Sequence, residues 1–146
     1  MQSKMLNAAP ERTWALIFDK GDEPVKLITE FAREHGIAAA RLSAIGAFSE
    51  VVLGYFDWEK KDYHRIPMRE QLEVLSLLGD IALGENGEPK LHAHIVLGKR
   101  DGSAHGGHLL EGRVRPTLEV LLVQSPAVLQ KVHDPESGLA LIHAGR

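Results

Sequence analysis

The sequence predicts an α+β fold, a largely antiparallel or mixed sheet with one main helix packed on it. Three observations carry this reading. Only the stretch from residue 22 to residue 36 combines helical periodicity with helix-end residues. Most other apolar residues fall in short runs of Val, Ile, Leu and aromatics, and Gly, Asp and Pro turns separate those runs. With 146 residues, 44% of them apolar and 25% charged, the chain makes one compact domain with a sizeable core.

In chain order, residues 1–12 are polar and are expected as a flexible N-terminus ahead of a domain over residues 13–146. Thr13 to Phe18 reads as a strand, ended by the turn residues Asp19-Lys20-Gly21-Asp22. The helix follows, with Asp22 as N-cap, Glu23 and Pro24 in its first turn and His35-Gly36 at its end. Val25, Ile28, Phe31 and Ala32 give it one buried stripe. Ala38 to Phe56 is strand-like, interrupted by Gly46 and Gly54. Ile45-Gly46-Ala47-Phe48-Ser49 is a bend or bulge, because a phosphate loop needs a second Gly and a Lys at fixed spacing.

Trp58 to Asp62 forms a charged turn, and Tyr63 to Met68 a short strand that Pro67 places at an edge. Gln71 to Leu83 is another strand region, broken at Gly79, with Glu73 on an exposed face or in an ion pair. Gly84 to Pro89 is a hairpin connection. Thr117 to Val123 is nearly all apolar and is expected to be well buried, with Glu119 at an edge or in an ion pair. Ser125 to Gln130 has the cap and Pro of a single helical turn. His133 to Gly138 is a turn, and Leu139 to His143 a last short strand.

The chemistry concentrates in Lys90 to Glu111, which holds four of the eight histidines. His92 and His94 lie two apart in a strand-like run, so both imidazoles leave one face. Arg100-Asp101-Gly102-Ser103 supplies a turn, and the chain returns through Gly106-Gly107-His108. Register decides which third imidazole joins the pair. A two-residue turn at Asp101-Gly102 would set His108 opposite Ile95, turning it away and bringing His105 in. A loop longer by one residue would pair Val96 with His108 and bring His108 in. Gly106-Gly107 favours the second register, because a bulge or a close backbone approach is cheapest at glycine. The preferred trio is His92, His94 and His108.

Three neutral imidazoles on strands suit a divalent transition metal, most simply zinc with an open fourth position. The competing reading, polar residues bonded to backbone or water, would prevail for a lone histidine but not for this constellation. No organic cofactor motif is present, and no catalytic residue is assigned; Glu111 and Glu119 are the candidate acids for a metal-activated water. The absence of cysteine excludes disulfides, thiol catalysis and a sulfur-rich zinc site. It also fits a reducing compartment, so the cytoplasm is the expected location. No apolar run is long enough to span a bilayer, and residues 1–12 lack the apolar segment of a secretory signal. Seventeen basic and twenty acidic residues give a net charge of −3. Binding of nucleic acid by bulk electrostatics is therefore not expected. The pairs Lys60-Lys61 and Lys99-Arg100 each sit beside an acid and read as solvated turns.

Taken together, several segments resemble the plants and prokaryotes conserved (PPC) domain family, whose stand-alone prokaryotic members are often called candidate DNA-binding proteins. They are Ile45-Gly46-Ala47-Phe48-Ser49, Leu72 to Gly79, His92-Ala93-His94, Asp101-Gly102, Gly106-Gly107-His108-Leu109, Leu118-Glu119-Val120 and His133 to Leu139. Order and spacing carry the likeness more than any one segment. The resemblance implies a compact homotrimer in which strands of one subunit pack on the next. It also implies a metal site at His92, His94 and His108. In plant members an AT-hook binds DNA and the PPC domain mediates assembly. Here Arg113-Val-Arg-Pro116 has Val where the hook needs Gly, and the Gly-Arg-Phe-Arg-Pro-Phe segment of plant members is missing. Three roles stay open: an assembly module with a regulatory, DNA-associated role, a metal-dependent enzyme, or a metal-buttressed small-molecule binder with its site in a subunit cleft.

Overall fold

The computed structural model describes the backbone of residues 2–7 and 10–143, and the side chains of residues 10–143. Nine strands and one helix follow in the order β1 (Gln2–Asn7), β2 (Arg12–Phe18), α1 (Pro24–Glu34), β3 (Ala39–Asp57), β4 (Asp62–Met68), β5 (Leu72–Leu83), β6 (Pro89–Gly98), β7 (Ala104–Gln124), β8 (Gln130–His133) and β9 (Ala140–His143). The α+β expectation of one helix on a largely antiparallel sheet holds; the β5–β8 contact is the parallel exception.

Two long strands, β3 and β7, organise the sheet by pairing antiparallel along most of their length. β5 takes the free edge of the first half of β3, and β4 that of its second half. β6 joins β5 to β7, so the hydrogen-bonded path β3–β5–β6–β7 closes on itself. That closure leaves the histidine strand and the return strand side by side. β4 pairs with β3 alone, which agrees with the edge position inferred from Pro67.

Helix α1 lies against β6 and β7 and buries Pro24, Ile28, Phe31 and Ala32. Phe31 meets Trp14 of β2 edge-on, with ring centroids 5.1 Å apart. The N-cap is Glu23, one residue later than expected: its carboxyl oxygens accept from the Val25 and Lys26 backbone N–H groups. Asp22 is used up in the preceding turn, where its Oδ2 accepts from Asp19 N–H at 3.0 Å. At the other end Gly36 takes φ +61°, and Ile37 N–H reaches back to the Ala32 carbonyl at 2.8 Å.

Four further expectations change. Gln2–Asn7, placed in a flexible N-terminus, pairs with β2 as an edge strand. β3 and β5 run unbroken through Gly54 and Gly79. These glycines permit close approach instead: a Cβ on Gly79 would stand 2.6 Å from the His92 carbonyl oxygen of β6. The helical turn expected over Ser125 to Gln130 is absent, because Ser125 and Leu129 donate their N–H groups to the Ala39 and Ala38 carbonyls at the start of β3. Finally, Thr117 to Val123 is buried on one face alone. Leu118, Val120 and Leu122 are inaccessible, whereas Leu121 stands 52% exposed, with Glu119 on the same outward side.

Gly46 marks the bend read from the sequence, where β3 shifts register against both β5 and β7. Its φ is +152°, and a Cβ there would lie 2.7 Å from Leu118 Cα. Gly46→Ala is expected to cost about 3 kcal/mol through backbone strain plus overpacking. Gly87→Ala, also at positive φ but with open space around it, should cost only about 1 kcal/mol. Urea unfolding of the two variants checks the contrast, and equal losses would refute it.

Candidate metal centre

The β6–β7 hairpin turns through Lys99–Ser103. Lys99 N–H donates to the Ser103 carbonyl at 2.8 Å, and Asp101 Oδ1 accepts from both the N–H and the hydroxyl of Ser103. Gly98 therefore pairs with Ala104, and His94 lies directly opposite His108. Neither register read from the sequence is the one adopted. The true pairing is two residues from the favoured one, and a shift of two keeps each side chain on its face. His108 thus joins His92 and His94, while His105 lies opposite Leu97 and leaves on the other face. No bulge interrupts β6–β7 here. Gly106 and Gly107 serve close approach: a Cβ on Gly107 would come within 2.9 Å of the Gly54 carbonyl oxygen.

One ring nitrogen from each of His92, His94 and His108 lies within 4.8 Å of the others. His92 Nε2 and His94 Nε2 are 3.2 Å apart. Two imidazoles bound tetrahedrally to zinc at ~2.0–2.1 Å would hold their nitrogens about 3.3 Å apart, so this edge already has the right length. The rings of His92 and His108 stack at 5.2 Å, and His94 stands edge-on to both. His108 Nδ1 is buried and has no hydrogen-bond partner. Burial first, then the neighbouring His92, His94 and Lys131, lowers the His108 pKa from 6.5 to about 4. Burial and His92 lower that of His94. His108 is therefore neutral near pH 7, the form that ligates a cation.

Three residues not singled out in the sequence complete the surroundings. Asp80 of β5 lies opposite His92, and its Oδ2 accepts from His92 Nδ1–H at 3.1 Å. That contact fixes the tautomer and leaves the Nε2 lone pair for a ligand, as outer partners of metal-binding histidines do. Lys131 of β8, only 6% exposed, places Nζ 3.4 Å from Asp80 Oδ1. Tyr63 of β4 stacks on His108 with centroids 4.6 Å apart, and Gly54 leaves the room for its ring. The hairpin over Gly84–Pro89 could have placed Asp80 across from His92 by counting. Lys131 and Tyr63 come from distant segments and carry no local signal.

The candidate acids are elsewhere. Glu111 is exposed and paired with Arg65. Glu119 lines an outward hollow with Ile17, Ile45 and Leu121. Glu73 is exposed, as expected. None of the three joins the imidazole cluster.

The outward side of the sheet is unusually apolar. Ile45, Leu75, Leu78, Val96 and Leu121 are all exposed large hydrophobics, with Leu78 at 63% and Ile45 at 61%. Leu78 pairs directly with His94, so this surface runs up to the imidazoles. Among the described residues no helix is long and apolar enough to cross a membrane.

The comparisons agree with this architecture. A plant- and prokaryote-conserved (PPC) protein from Pyrococcus horikoshii is 34% identical, with 92% of this chain and 93% of that chain covered and a TM-score of 0.86. A metal-containing protein from Archaeoglobus fulgidus is 36% identical over 97% of this chain and 96% of that one, with a TM-score of 0.83. A candidate DNA-binding protein from Bacteroides thetaiotaomicron is 28% identical over 97% and 96%, with a TM-score of 0.85. No curated protein matches the chain. The sequence profile of the Plants and Prokaryotes Conserved (PCC) domain matches residues 5–126, and on that match the chain belongs to the PPC, or PCC, domain family.

Proposed function

We propose that the protein is a metal-binding homotrimer, in which His92, His94 and His108 hold a divalent transition ion, most simply zinc, beside the contact between subunits. One observation carries this reading: three imidazole nitrogens lie within 4.8 Å of one another, one of them held in tautomer by Asp80. The Archaeoglobus relative, named as metal-containing, supports it. Three protein ligands leave a tetrahedral ion one open position, where a bound water is made acidic enough to act near pH 7. Metal analysis of tag-free protein should find about one zinc-type ion per chain, and a tenth of that or less after reconstitution would refute the reading. A cytoplasmic location, from the absence of cysteine, belongs to the same proposal.

A second reading, binding or conversion of a small molecule at the open position, is favoured by a cavity of about 750 Å³ whose wall includes His92 and His108. A regulatory role touching DNA directly has less support, although the Bacteroides relative is a candidate DNA-binding protein. Acids outnumber bases in this chain, Lys99 is paired with Glu70, Arg65 with Glu111, and α1 carries an internal Lys26–Glu30 pair. The protein is expected not to bind duplex DNA appreciably at physiological salt, since even non-specific binding at ~10⁻⁴–10⁻⁶ M needs several phosphate contacts. Fluorescence anisotropy with A·T-rich and G·C-rich duplexes over a salt series checks this. Micromolar binding with a steep salt slope would overturn it.

A further inference from the structure

The cavity beside the imidazoles has a composition that selects its occupant. Its floor carries His92 and His108, and Tyr63, stacked on His108, forms one wall. The β8–β9 hairpin borders the cavity from Leu139 to Ile142, and Ile142, paired with Lys131, presents its apolar side chain on the same face as that lysine. Lys131 enters from the same hairpin. It is a charged side chain more than nine-tenths buried, with its apolar stem covered and its ammonium beside the histidines. Its one recorded polar neighbour among the described residues is Asp80 Oδ1 at 3.4 Å, longer than an ordinary N–H···O hydrogen bond. The ammonium thus keeps donors to offer.

The local charge has a definite sign. Asp80 balances Lys131, so a divalent ion on three neutral imidazoles would leave about two positive charges facing an open cleft. The acid in the wall, Glu85, accepts from the His133 N–H at 3.0 Å, and Lys90 shares the wall with it. An anion is the occupant such a field concentrates, and the apolar wall rewards a hydrocarbon body behind it.

We infer that this cavity binds a small carboxylate with a short aliphatic chain, its carboxylate between Lys131 and the open metal position and its chain against Ile142. The inference rests on the metal reading above and names the class of ligand that site takes. Lys131 acts here as an anion-binding residue as well as the partner of Asp80.

Cobalt(II)-loaded protein tests it, because the visible spectrum of the ion reports a change in its coordination. The probes are acetate, butanoate, hexanoate and, as the cationic control, hexylammonium. Cobalt uptake is measured first. Failure to take up about one ion per chain overturns the metal reading and this inference with it. Uptake followed by no spectral response to millimolar hexanoate overturns the carboxylate pocket alone. The expected result is saturable binding that tightens about fourfold per added methylene, roughly 250-fold over the four methylenes from acetate to hexanoate, with no response to hexylammonium. Equal affinities for acetate and hexanoate, or equal binding of hexylammonium, would refute it. Lys131→Met should weaken hexanoate at least tenfold while cobalt is still bound. Should that variant lose cobalt or fail to fold, Ile142→Asp, remote in sequence from every metal ligand, must still abolish the chain-length dependence; an unchanged dependence overturns the inference.

Discussion

The protein is expected to run at about three times 16.1 kDa in light scattering, and Ile45→Asp combined with Leu121→Asp is expected to reduce it to monomers. Both residues stand outward on a sheet face where alternation would normally place polar side chains, at 61% and 52% exposure. They line one outward hollow with Leu75 and Leu78, and exposed apolar side chains gathered in this way mark a protein contact. Burying an unpaired carboxylate in such a contact costs on the order of several kcal/mol, and each subunit would bring two. Leu78 is left intact in this test because it pairs with His94, and a carboxylate there would disturb the imidazoles. A wild-type protein that is monomeric at micromolar concentration, or a double variant that stays trimeric, would remove the interface.

The second large effect concerns the metal. His92→Ala with His94→Ala is expected to bring zinc, nickel or cobalt uptake from about one ion per chain to background, since two of three ligands are gone. His108→Ala alone should be nearly as damaging. His105→Ala should be silent, because His105 leaves on the opposite face of the hairpin. Asp80→Asn retains a hydrogen-bonding group against His92 Nδ1 but weakens the hold on its tautomer, so a loss of about 10–100-fold in affinity is expected. Equilibrium dialysis with inductively coupled plasma detection reads all four. Undiminished uptake by the double variant would remove the site.

Much of this centre was legible in the sequence because side-chain parity on a strand is rigid. His92 and His94 had to share a face, and either register considered fixed which third histidine joined them. The register itself was not legible. It depends on how Lys99–Ser103 closes, and Asp101 closes it with its side chain on Ser103 rather than through a two-residue turn. The favoured trio survived because the error was two residues, which preserves the face. Asp80 was hidden by reading Gly79 as a break, when Gly79 in fact lets β6 approach. Lys131 was hidden by a Ser-Pro pair that looks like a helix start but whose backbone donors serve β3. The outward apolar face was misread as interior for a related reason. In Thr117 to Val123 both faces are apolar, and alternation cannot say which one the chain itself covers.

The central claim is that the three imidazoles are one metal site, and anomalous scattering tests it most directly. Crystals of tag-free protein, grown with one equivalent of zinc and measured across its absorption edge, should give one strong anomalous peak per chain. The peak should lie about 2.0–2.1 Å from Nε2 of His92, from Nε2 of His94 and from a ring nitrogen of His108. Ordered imidazoles with no peak between them, or a peak that excludes His108, would contradict the account.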